Sequence, residues 1–365
     1  MPGRTPTATA GPGGHQPEVR TTEPAPAKVN LFLAVGPCRA DGYHELLTLY
    51  ESVPLQDEVT VTLRPAPDGR WRFRVSGGGP ALPSGWELPR DTENLAGRAA
   101  LLYAEALTGA APGRSVVPGR GGRASSRPVG PAHVEVRIEK RIPPAAGLGG
   151  GSADAAAVLR ALQRLYGHPL DTADLLELAT RLGSDVPFLV QGGRAVGRSR
   201  GEVVLPRPAA PRLPLVLALS TFRLQTPEVY RELDRLRGRG EAPPPGADDP
   251  ERGLAALLDA LAVADLDQAG PLLRNDLEAA CISLCPEVGV LTALLRESGC
   301  LGAAVSGSGP TVFGLARDME EASAAARRAG RDAPPGLAGR VTFVPLLSGL
   351  PGERRGAAAN PFEPS

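Results

Sequence analysis

The feature that most constrains the fold is a glycine-dense run, Gly147-Leu-Gly-Gly-Gly151, that lies between a strand pattern and a helix pattern. Before it, residues 133–142 alternate apolar and polar side chains, which predicts a half-buried strand. After it, Ser152 is a good N-cap, and an alanine- and leucine-rich helix follows to about Gly167. This order predicts a phosphate cradle, because the N–H groups of such a loop close around phosphate oxygens at the positive end of a helix.

An alternative for the same run is a tight strand-to-helix turn that binds nothing. Three consecutive glycines are a costly choice for a turn alone, since glycine loses the most conformational freedom on folding. The sequence contains no GxxxxGK[ST], which excludes a P-loop, and Ser152 stands where GxGxxG requires its last glycine. The run is therefore a phosphate-binding candidate of another kind.

Length and charge narrow the class of protein. The chain has 365 residues, and single cores rarely exceed about 250 to 300 residues, so we expect two domains. Lys plus Arg and Asp plus Glu number 40 each, so no excess positive charge attracts nucleic acid. We find no apolar run long enough to span a membrane and no apolar core of a signal peptide in residues 1–22. We expect a cytoplasmic monomer or weak homodimer that acts on a small molecule, without nucleic-acid or membrane partners.

The cysteines and lysines are few. Cys38, Cys281, Cys285 and Cys300 are too scattered for a disulfide framework, so reduced thiols are expected, and without a nearby histidine they do not predict a zinc or other metal site. Lysine occurs only at positions 28 and 140, among many arginines. A lysine kept in such a sequence indicates a need for a compact point charge.

The patterns along the chain predict an α+β protein with mixed sheets and packed helices. Strands are predicted at 28–35, 58–63, 70–75, 133–142, 213–220, 303–306 and 311–315, and helices at 94–107, 152–167, 172–182, 254–261 and 291–297. We predict disordered tails at 1–23 and 350–365, an N-terminal ATP-binding domain at 24–190 with a flexible insertion at 111–131, and a C-terminal domain at 191–349.

Three segments in this order resemble the motifs of the GHMP kinases: residues 26–32 (Pro-Ala-Lys-Val-Asn-Leu-Phe), residues 143–153 and residues 305–311. The resemblance implies a two-domain fold with mixed and antiparallel sheets flanked by helices, and ATP as co-substrate together with Mg²⁺. It implies that nucleotide is bound by Pro143, Pro144, Ala145, Ala146, Gly147, Leu148, Gly149, Gly150, Gly151, Ser152 and Ala153. It also implies that the loop Gly307, Ser308 and Gly309 supports the nucleotide site.

One stretch points to a branch of that superfamily. Residues 39–46, Arg-Ala-Asp-Gly-Tyr-His-Glu-Leu, are similar to the signature of the branch that phosphorylates the 2-hydroxyl of a cytidylated methylerythritol, in the non-mevalonate route to isoprenoid precursors. Residues 182–188 and 275–278 also resemble segments of that branch. The alternatives are a mevalonate- or homoserine-type kinase and an inactive nucleotide-binding sensor. A sensor should have lost Lys28 or Asp185, and both are present.

The resemblance assigns catalysis to Asp185 and Lys28. Phosphoryl transfer needs positioning, charge neutralisation and a group that takes the proton of the attacking hydroxyl. A carboxylate suits that role, and Asp185 follows a helix stop directly. From the residues alone, Asp185 could equally be an N-cap, and Lys28 could be a solvated charge at a sheet edge.

The acceptor side is assigned in the same way. Asn30 shares a strand face with Lys28, and the resemblance gives Tyr43 and His44 to the cytidine group, by ring stacking and a hydrogen bond. Tyr50 and Thr226 are further candidates for the acceptor pocket. From the residues alone, Tyr43 could instead be a half-buried turn tyrosine and His44 a surface histidine. Ala153 departs from the family pattern, which often has a second serine there, so Ser152 must supply the hydroxyl.

Overall fold

The structure is a computed structural model that describes residues 7–9, 18–82, 85–109, 130–207 and 211–349. The strands are β1 Thr7–Thr9, β2 Glu18–Cys38, β3 His44–Pro65, β4 Arg72–Gly78, β5 Ala132–Glu139, β6 Arg194–Arg198, β7 Val203–Arg207, β8 Pro214–Ser220, β9 Arg274–Asn275, β10 Gly302–Val305, β11 Val312–Leu315 and β12 Val341–Leu347. The helices are α1 Leu95–Leu107, α2 Gly150–Tyr166, α3 Thr172–Leu182, α4 Val186–Gln191, α5 Thr226–Gly238, α6 Pro250–Ala262, α7 Leu266–Ala269, α8 Glu278–Leu284, α9 Glu287–Glu297 and α10 Met319–Asp332.

The larger sheet is mixed and is built around the long β2–β3 pair. Its main path runs β1-β2-β3-β5-β4, with β6 and β7 continuing from β3 and β9 pairing with β2. The β4–β5 and β2–β9 pairs are parallel, and the other pairs are antiparallel. In the β2–β3 register Lys28 pairs with Ser52 and Asn30 pairs with Tyr50. The two strands therefore bring side chains from residues 28–30 and from Tyr50 into one neighbourhood.

The smaller sheet is antiparallel, in the order β10-β11-β8-β12. Alternate residues of β8 belong to two separate hydrophobic clusters: Leu215 and Leu217 to one, Val216 and Ala218 to the other. Buried side chains of α9 and α10 belong to the second cluster. Together with the helices on the larger sheet, this confirms the predicted α+β class with mixed and antiparallel sheets flanked by helices.

The middle of strand β2, residues 26–35, is buried on both faces, as most of β8 is. Phe32 and Ala34 belong to one hydrophobic cluster, and Leu33 and Val35 belong to the other. The strand predicted at 28–35 is thus the middle of a strand that extends over 18–38, and the strand predicted at 58–63 is the end of one that begins at His44. Residues 47–53 of β3 are buried on both faces, so period-two alternation cannot mark them. The missed start of β2 does alternate in burial, but its buried positions include Thr21 and Glu23, so no apolar alternation marks it in the sequence.

The glycine run lies between strand and helix as predicted, with two changes. Strand β5 ends at Glu139, before residue 142, because Asp57 takes the N–H groups of Arg141 and Ile142 out of the ladder. Helix α2 begins at Gly150, so Ser152 lies in its first turn and is not its N-cap. The N-cap is Gly149, whose φ of 71° is a left-handed conformation that glycine adopts without strain.

Other predicted elements agree within a few residues, and helix 172–182 matches α3 at both ends. The tail predicted at 1–23 is too long, because β2 begins at Glu18 and pairs with β3 from Val19 onward.

Most of residues 1–17 and the segments 111–129 and 350–365 lie outside the described residues. The domain boundary at 190 stays a prediction, although the larger sheet continues as far as β7. Among the described helices, none combines the length and apolarity that a membrane crossing requires.

Candidate active site

The glycine loop presents backbone donors at the start of α2. Gly147 and Gly149 have φ of 75° and 71°, and Ala145 also has a positive φ of 54°. The first i to i−4 hydrogen bond of α2 runs from Ala153 N to Gly149 O, at 2.8 Å. The N–H groups of residues 150–152 precede that bond, so the helix itself does not use them, and they are available to an anion.

Within this loop the side chains divide into core and surface. Ala146, Leu148 and Ala153 are buried, whereas Ala145 and Gly151 are exposed and the rest of residues 143–152 are half-buried. Ala153 is only 1% exposed, so a methyl group at this position packs into the core. The departure from the family pattern at 153 is therefore accommodated by packing, and Ser152 is the hydroxyl-bearing residue in the first turn.

The second glycine loop, residues 306–309, packs against the first. Ser306 Oγ donates to Gly147 O at 3.1 Å, and Thr311 N donates to Ala146 O at 3.3 Å. A Cβ on Gly147 would lie 2.1 Å from the carbonyl oxygen of Ser306, so only glycine permits this approach. The predicted supporting role of Gly307, Ser308 and Gly309 is consistent with this contact between the two loops.

Lys28 and Asp185 are in contact. The Lys28 ammonium lies 3.4 Å from Asp185 Oδ2, and Tyr50 OH donates to Asp185 Oδ1 at 3.1 Å. Lys28 Nζ also donates to Asn30 Oδ1 at 2.7 Å. Lys28 is 3% exposed, so it is not a solvated edge charge. Lys28, Asn30, Tyr50 and Asp185, all singled out in the sequence, are thus joined by two hydrogen bonds and one ion pair.

Asp185 occupies the N-cap position of α4 but does not act as its cap. Within the described chain its side chain makes no capping hydrogen bond and is turned to Lys28 and Tyr50 instead. The Asp185 side chain keeps 29% of its surface exposed, so a substrate hydroxyl can reach it. Burial, reinforced by the charge of Asp185, raises the pKa of Tyr50 well above its usual range, so Tyr50 stays a protonated donor.

Asn30, which accepts the hydrogen bond from Lys28, is itself held by Thr48, a residue that the sequence patterns did not reveal. Asn30 Nδ2 donates to Thr48 Oγ1 at 2.8 Å, and Thr48 Oγ1 donates to Phe32 O at 2.7 Å. Thr48 is fully buried, and its strand was not predicted at this position. A threonine inside an apolar run was the available signal, since buried hydroxyls are nearly always hydrogen-bonded.

His44 lies in a small polar cluster with one face of α5. Its ring stacks on Tyr230, with centroids 5.2 Å apart, and its Nε2 lies 2.9 Å from Asp234 Oδ1. His44 is 7% exposed, so it is not a surface histidine, whereas Tyr43 is 54% exposed with the Arg200 guanidinium 5.1 Å from its ring centre.

Helix α5 connects this cluster to the glycine loops. Thr226, Tyr230 and Asp234 are spaced by four residues and share one helix face. The Thr226 hydroxyl lies 2.8 Å from Ser308 Oγ in the second glycine loop. Burial raises the pKa of Tyr230, and the charge of Asp185 adds to that effect, so the tyrosine lies within electrostatic range of the Lys28–Asp185 pair. Tyr230 and Asp234 were missed because α5 was not predicted.

Asn275, from a segment that resembles the cytidylated-acceptor branch, fixes the second glycine loop. Its Nδ2 donates to Val305 O at 2.8 Å and to Gly307 O at 2.7 Å. Its Oδ1 accepts the N–H of Leu277. Asn275 is 8% exposed, and its side-chain amide hydrogen-bonds the backbone of the second glycine loop.

A cavity of about 820 Å³ lies apart from these residues, between β2, β3, the end of α5 and the start of α6. Its lining excludes the predicted site residues. Two of its arginines form bidentate pairs with acids, Arg198 with Glu251 and Arg274 with Asp248. It is not an extension of the Lys28–Asp185 site.

A helix N-terminus with unused N–H groups, beside a buried lysine and a reachable carboxylate, is an arrangement that suits a phosphotransferase acting on a hydroxyl. The family models agree with this class. The model for the GHMP kinases N terminal domain matches residues 119–193, and the model for the GHMP kinases C terminal matches residues 257–334.

The chain belongs to the GHMP kinase family. It is 42% identical over 332 residues to the 4-diphosphocytidyl-2-C-methyl-D-erythritol kinase of Nocardia farcinica (strain IFM 10152), covering 90% of this chain and 94% of that protein. It is 35% identical to a crystallised 4-(cytidine 5'-diphospho)-2C-methyl-D-erythritol kinase, with a TM-score of 0.64 over 90% of this chain and 99% of that chain.

Fold similarity alone does not distinguish the acceptor. The homoserine kinase of Cytophaga hutchinsonii superimposes with a TM-score of 0.65 over 93% of this chain and 96% of that chain, at only 20% identity. The fold is thus equally close to kinases of different substrates. Sequence identity separates these two structures, at 35% for the cytidylated-acceptor kinase and 20% for the homoserine kinase.

Proposed function

We propose that this protein phosphorylates the 2-hydroxyl of 4-diphosphocytidyl-2-C-methyl-D-erythritol with ATP, giving the 2-phosphate and ADP in the non-mevalonate pathway of isoprenoid precursor synthesis. The single observation that carries the proposal is the contact of Lys28 with Asp185 beside the glycine loop, in a chain 42% identical to a kinase of that name.

The proposed transfer uses the residues as follows. The N–H groups of residues 150–152 hold ATP phosphates at the positive end of α2. Asp185 takes the proton of the acceptor hydroxyl as the new oxygen–phosphorus bond forms and the bond to ADP breaks. The Lys28 ammonium pairs with Asp185 and attracts the transferring phosphoryl group, and Tyr50 orients the same carboxylate through its hydrogen bond.

Magnesium is proposed to enter with ATP. No cluster of three or more His, Cys, Asp or Glu side chains fit for a metal occurs among the described residues. Among the described residues, the Ser152 hydroxyl in the first turn of α2 and the Asp185 carboxylate paired with Lys28 are oxygen donors that would suit an ion keeping phosphate and water ligands. When bound, Mg²⁺ neutralises phosphate charge.

The cytidine group is proposed to bind at the His44 cluster. Tyr43 offers an exposed ring for stacking, and the His44 ring is held by Tyr230 and Asp234. An aromatic ring and a fixed hydrogen-bonding ring together suit a nucleobase, and stacking is worth about 1 to 3 kcal/mol per base in single-strand binders. Thr226, which contacts Ser308, places the same helix face beside the loops.

The other acceptors remain weaker proposals. A mevalonate- or homoserine-type kinase shares the fold, but its acceptor carries no nucleobase for the His44 cluster to bind. An inactive sensor is disfavoured because Lys28 and Asp185 are present and in contact. We further propose a cytoplasmic monomer or weak homodimer, with the family's N- and C-terminal domains meeting near residue 190.

ATP consumption with four acceptors tests the proposal: the cytidylated methylerythritol, free methylerythritol, mevalonate and homoserine. We expect turnover with the first alone. Equal turnover with free methylerythritol contradicts the cytidine pocket, and preference for mevalonate or homoserine replaces the proposal with the corresponding alternative.

A further inference from the structure

Lys140 is the second of the two lysines, and the proposed transfer does not use it. It is 4% exposed, and its ammonium donates to two carboxylates, Asp57 of β3 and Asp154 of α2, the latter at 2.7 Å. All three side chains are buried. One ammonium group and two carboxyl groups are thus enclosed beneath the start of α2.

The cluster holds both ends of the glycine loop. The second oxygen of Asp57 accepts the N–H groups of Arg141 and Ile142 at 2.5 and 2.8 Å, which fixes the chain that enters the loop. Asp154 is in α2 and fixes the chain that leaves it. Lys140 joins the two carboxylates, so the separation of the loop's two ends depends on one ammonium group.

The space for that group is small. A Cβ on Gly150 would lie 3.4 Å from Lys140 Nζ and 3.0 Å from Ile142 Cγ2. A Cβ on Gly149 would lie 3.3 Å from Lys28 Cε. The two lysines therefore lie under two consecutive glycines. A planar guanidinium is larger than an ammonium, which explains lysine at these positions in an arginine-rich chain.

The arrangement is costly. Burying charges carries a desolvation penalty that pairing only partly offsets, and Asp154 Oδ1 has no hydrogen-bond partner among the described residues. Apolar side chains of similar volume would fill this space at lower cost. A geometric requirement of the loop accounts for keeping the ions.

We propose that Lys140, together with Asp57 and Asp154, is a positioning residue for ATP that sets the backbone shape of Gly149–Gly151 to receive the phosphates. This proposal rests on the proposed function only in assigning the loop to ATP. It assigns the cluster no contact with the acceptor, so the cluster should affect nucleotide binding selectively.

Two variants test it by direct titration with a non-hydrolysable ATP analogue. Asp154→Asn keeps the side-chain shape and leaves Lys140 and Asp57 as a neutral pair, so it should fold. At about pH 8.5, where Asp154 is ionised because its pKa is about 7, the substitution should raise the Kd of the analogue about tenfold, the effect of one lost charge-assisted hydrogen bond. Lys140→Arg keeps the charge but not the size, and should raise the same Kd. The KM for the acceptor should change less than twofold in both variants.

Glu23→Gln is the matched control, because Glu23 is a buried carboxylate of β2 paired with Arg164 at 3.0 Å, away from the loop. It should leave the Kd of the analogue unchanged. A folded Asp154→Asn protein that binds the analogue within twofold of wild type overturns the proposal, even where Lys140→Arg fails to fold. Equal rises of acceptor KM and analogue Kd also overturn it, since they indicate general disruption. Analogue binding needs no acceptor, so failure of the acceptor assay alone overturns only the proposed function.

Discussion

The Lys28 ammonium lies 3.4 Å from Oδ2 of Asp185, while the other oxygen of that carboxylate accepts a hydrogen bond from Tyr50. Lys28 lies in β2, Tyr50 in β3 and Asp185 at the start of α4, so three elements together fix the Asp185 side chain. A carboxylate held this way needs little reorientation to receive a proton, and such preorganisation is a main source of catalysis.

Replacing Asp185 by asparagine should lower kcat by about 10² or more, the usual contribution of a general base. The amide keeps the shape but cannot take the proton. The Kd of an ATP analogue should stay within a few-fold, because the phosphate-binding N–H groups belong to the loop. Steady-state kinetics and titration measure the two effects, and near-normal turnover would rule out Asp185 as the base.

Thr48→Val should destabilise the protein by about 1 to 3 kcal/mol, because Asn30 Nδ2 is left buried without its acceptor. It should also lower kcat, since Asn30 holds the Lys28 ammonium. Urea unfolding and kinetics provide the readouts. Thr22→Val is a control in the same sheet, where the hydroxyl pairs with Thr60 in a partly exposed position, and its cost should be smaller. Equal costs would count against the buried network.

Gly147→Ala and Gly151→Ala should separate folding from nucleotide binding. The first places a Cβ 2.1 Å from Ser306 O at a positive φ, so it should lower stability and ATP affinity together. At Gly151 no described atom lies within 4 Å of the added Cβ, and alanine should raise helix stability by up to about 1 kcal/mol. Unimpaired ATP affinity in Gly151→Ala would show that the phosphates do not approach this face.

His44→Ala should raise the KM for the cytidylated acceptor about tenfold, since a hydrogen bond and a stacked ring are lost from the proposed cytidine pocket. The KM for ATP should not change. Initial rates with each substrate varied in turn give both constants. A larger effect on ATP than on the acceptor would place His44 on the nucleotide side and remove it from acceptor recognition.

Asp154 should give stability a pH dependence. Burial, opposed by Lys140 and reinforced by Asp57, raises its pKa from 3.8 to about 7 in the folded protein. The native state therefore holds a proton that the unfolded chain releases, so this group's contribution to stability is full below about pH 4 and is lost as pH rises toward 7. The difference in unfolding free energy between wild type and Asp154→Asn should follow that course, and parallel pH curves would contradict it.

Much of the fold and of the site could be predicted from local patterns. The alternation of β5, the glycine loop and the ends of α3 follow from neighbouring residues, since periodicity and capping are local properties. The full lengths of β2 and β3 could not be predicted, because residues 47–53 of β3 are buried on two faces and the start of β2 buries the polar residues Thr21 and Glu23, which hides the apolar alternation. Helix α5 was missed, and Tyr230 and Asp234 with it.

The sequence by itself determined the motifs, their order and the chemistry available at Lys28, Asp185 and the glycine loop. Tertiary structure decided which groups meet. In the folded chain Asp185 pairs with Lys28 and does not cap α4, and Lys140 is enclosed between Asp57 and Asp154 under Gly150. The physical reason is that charge pairing and burial depend on distances across the sheet, and residues far apart in the chain set those distances only once the strands have paired.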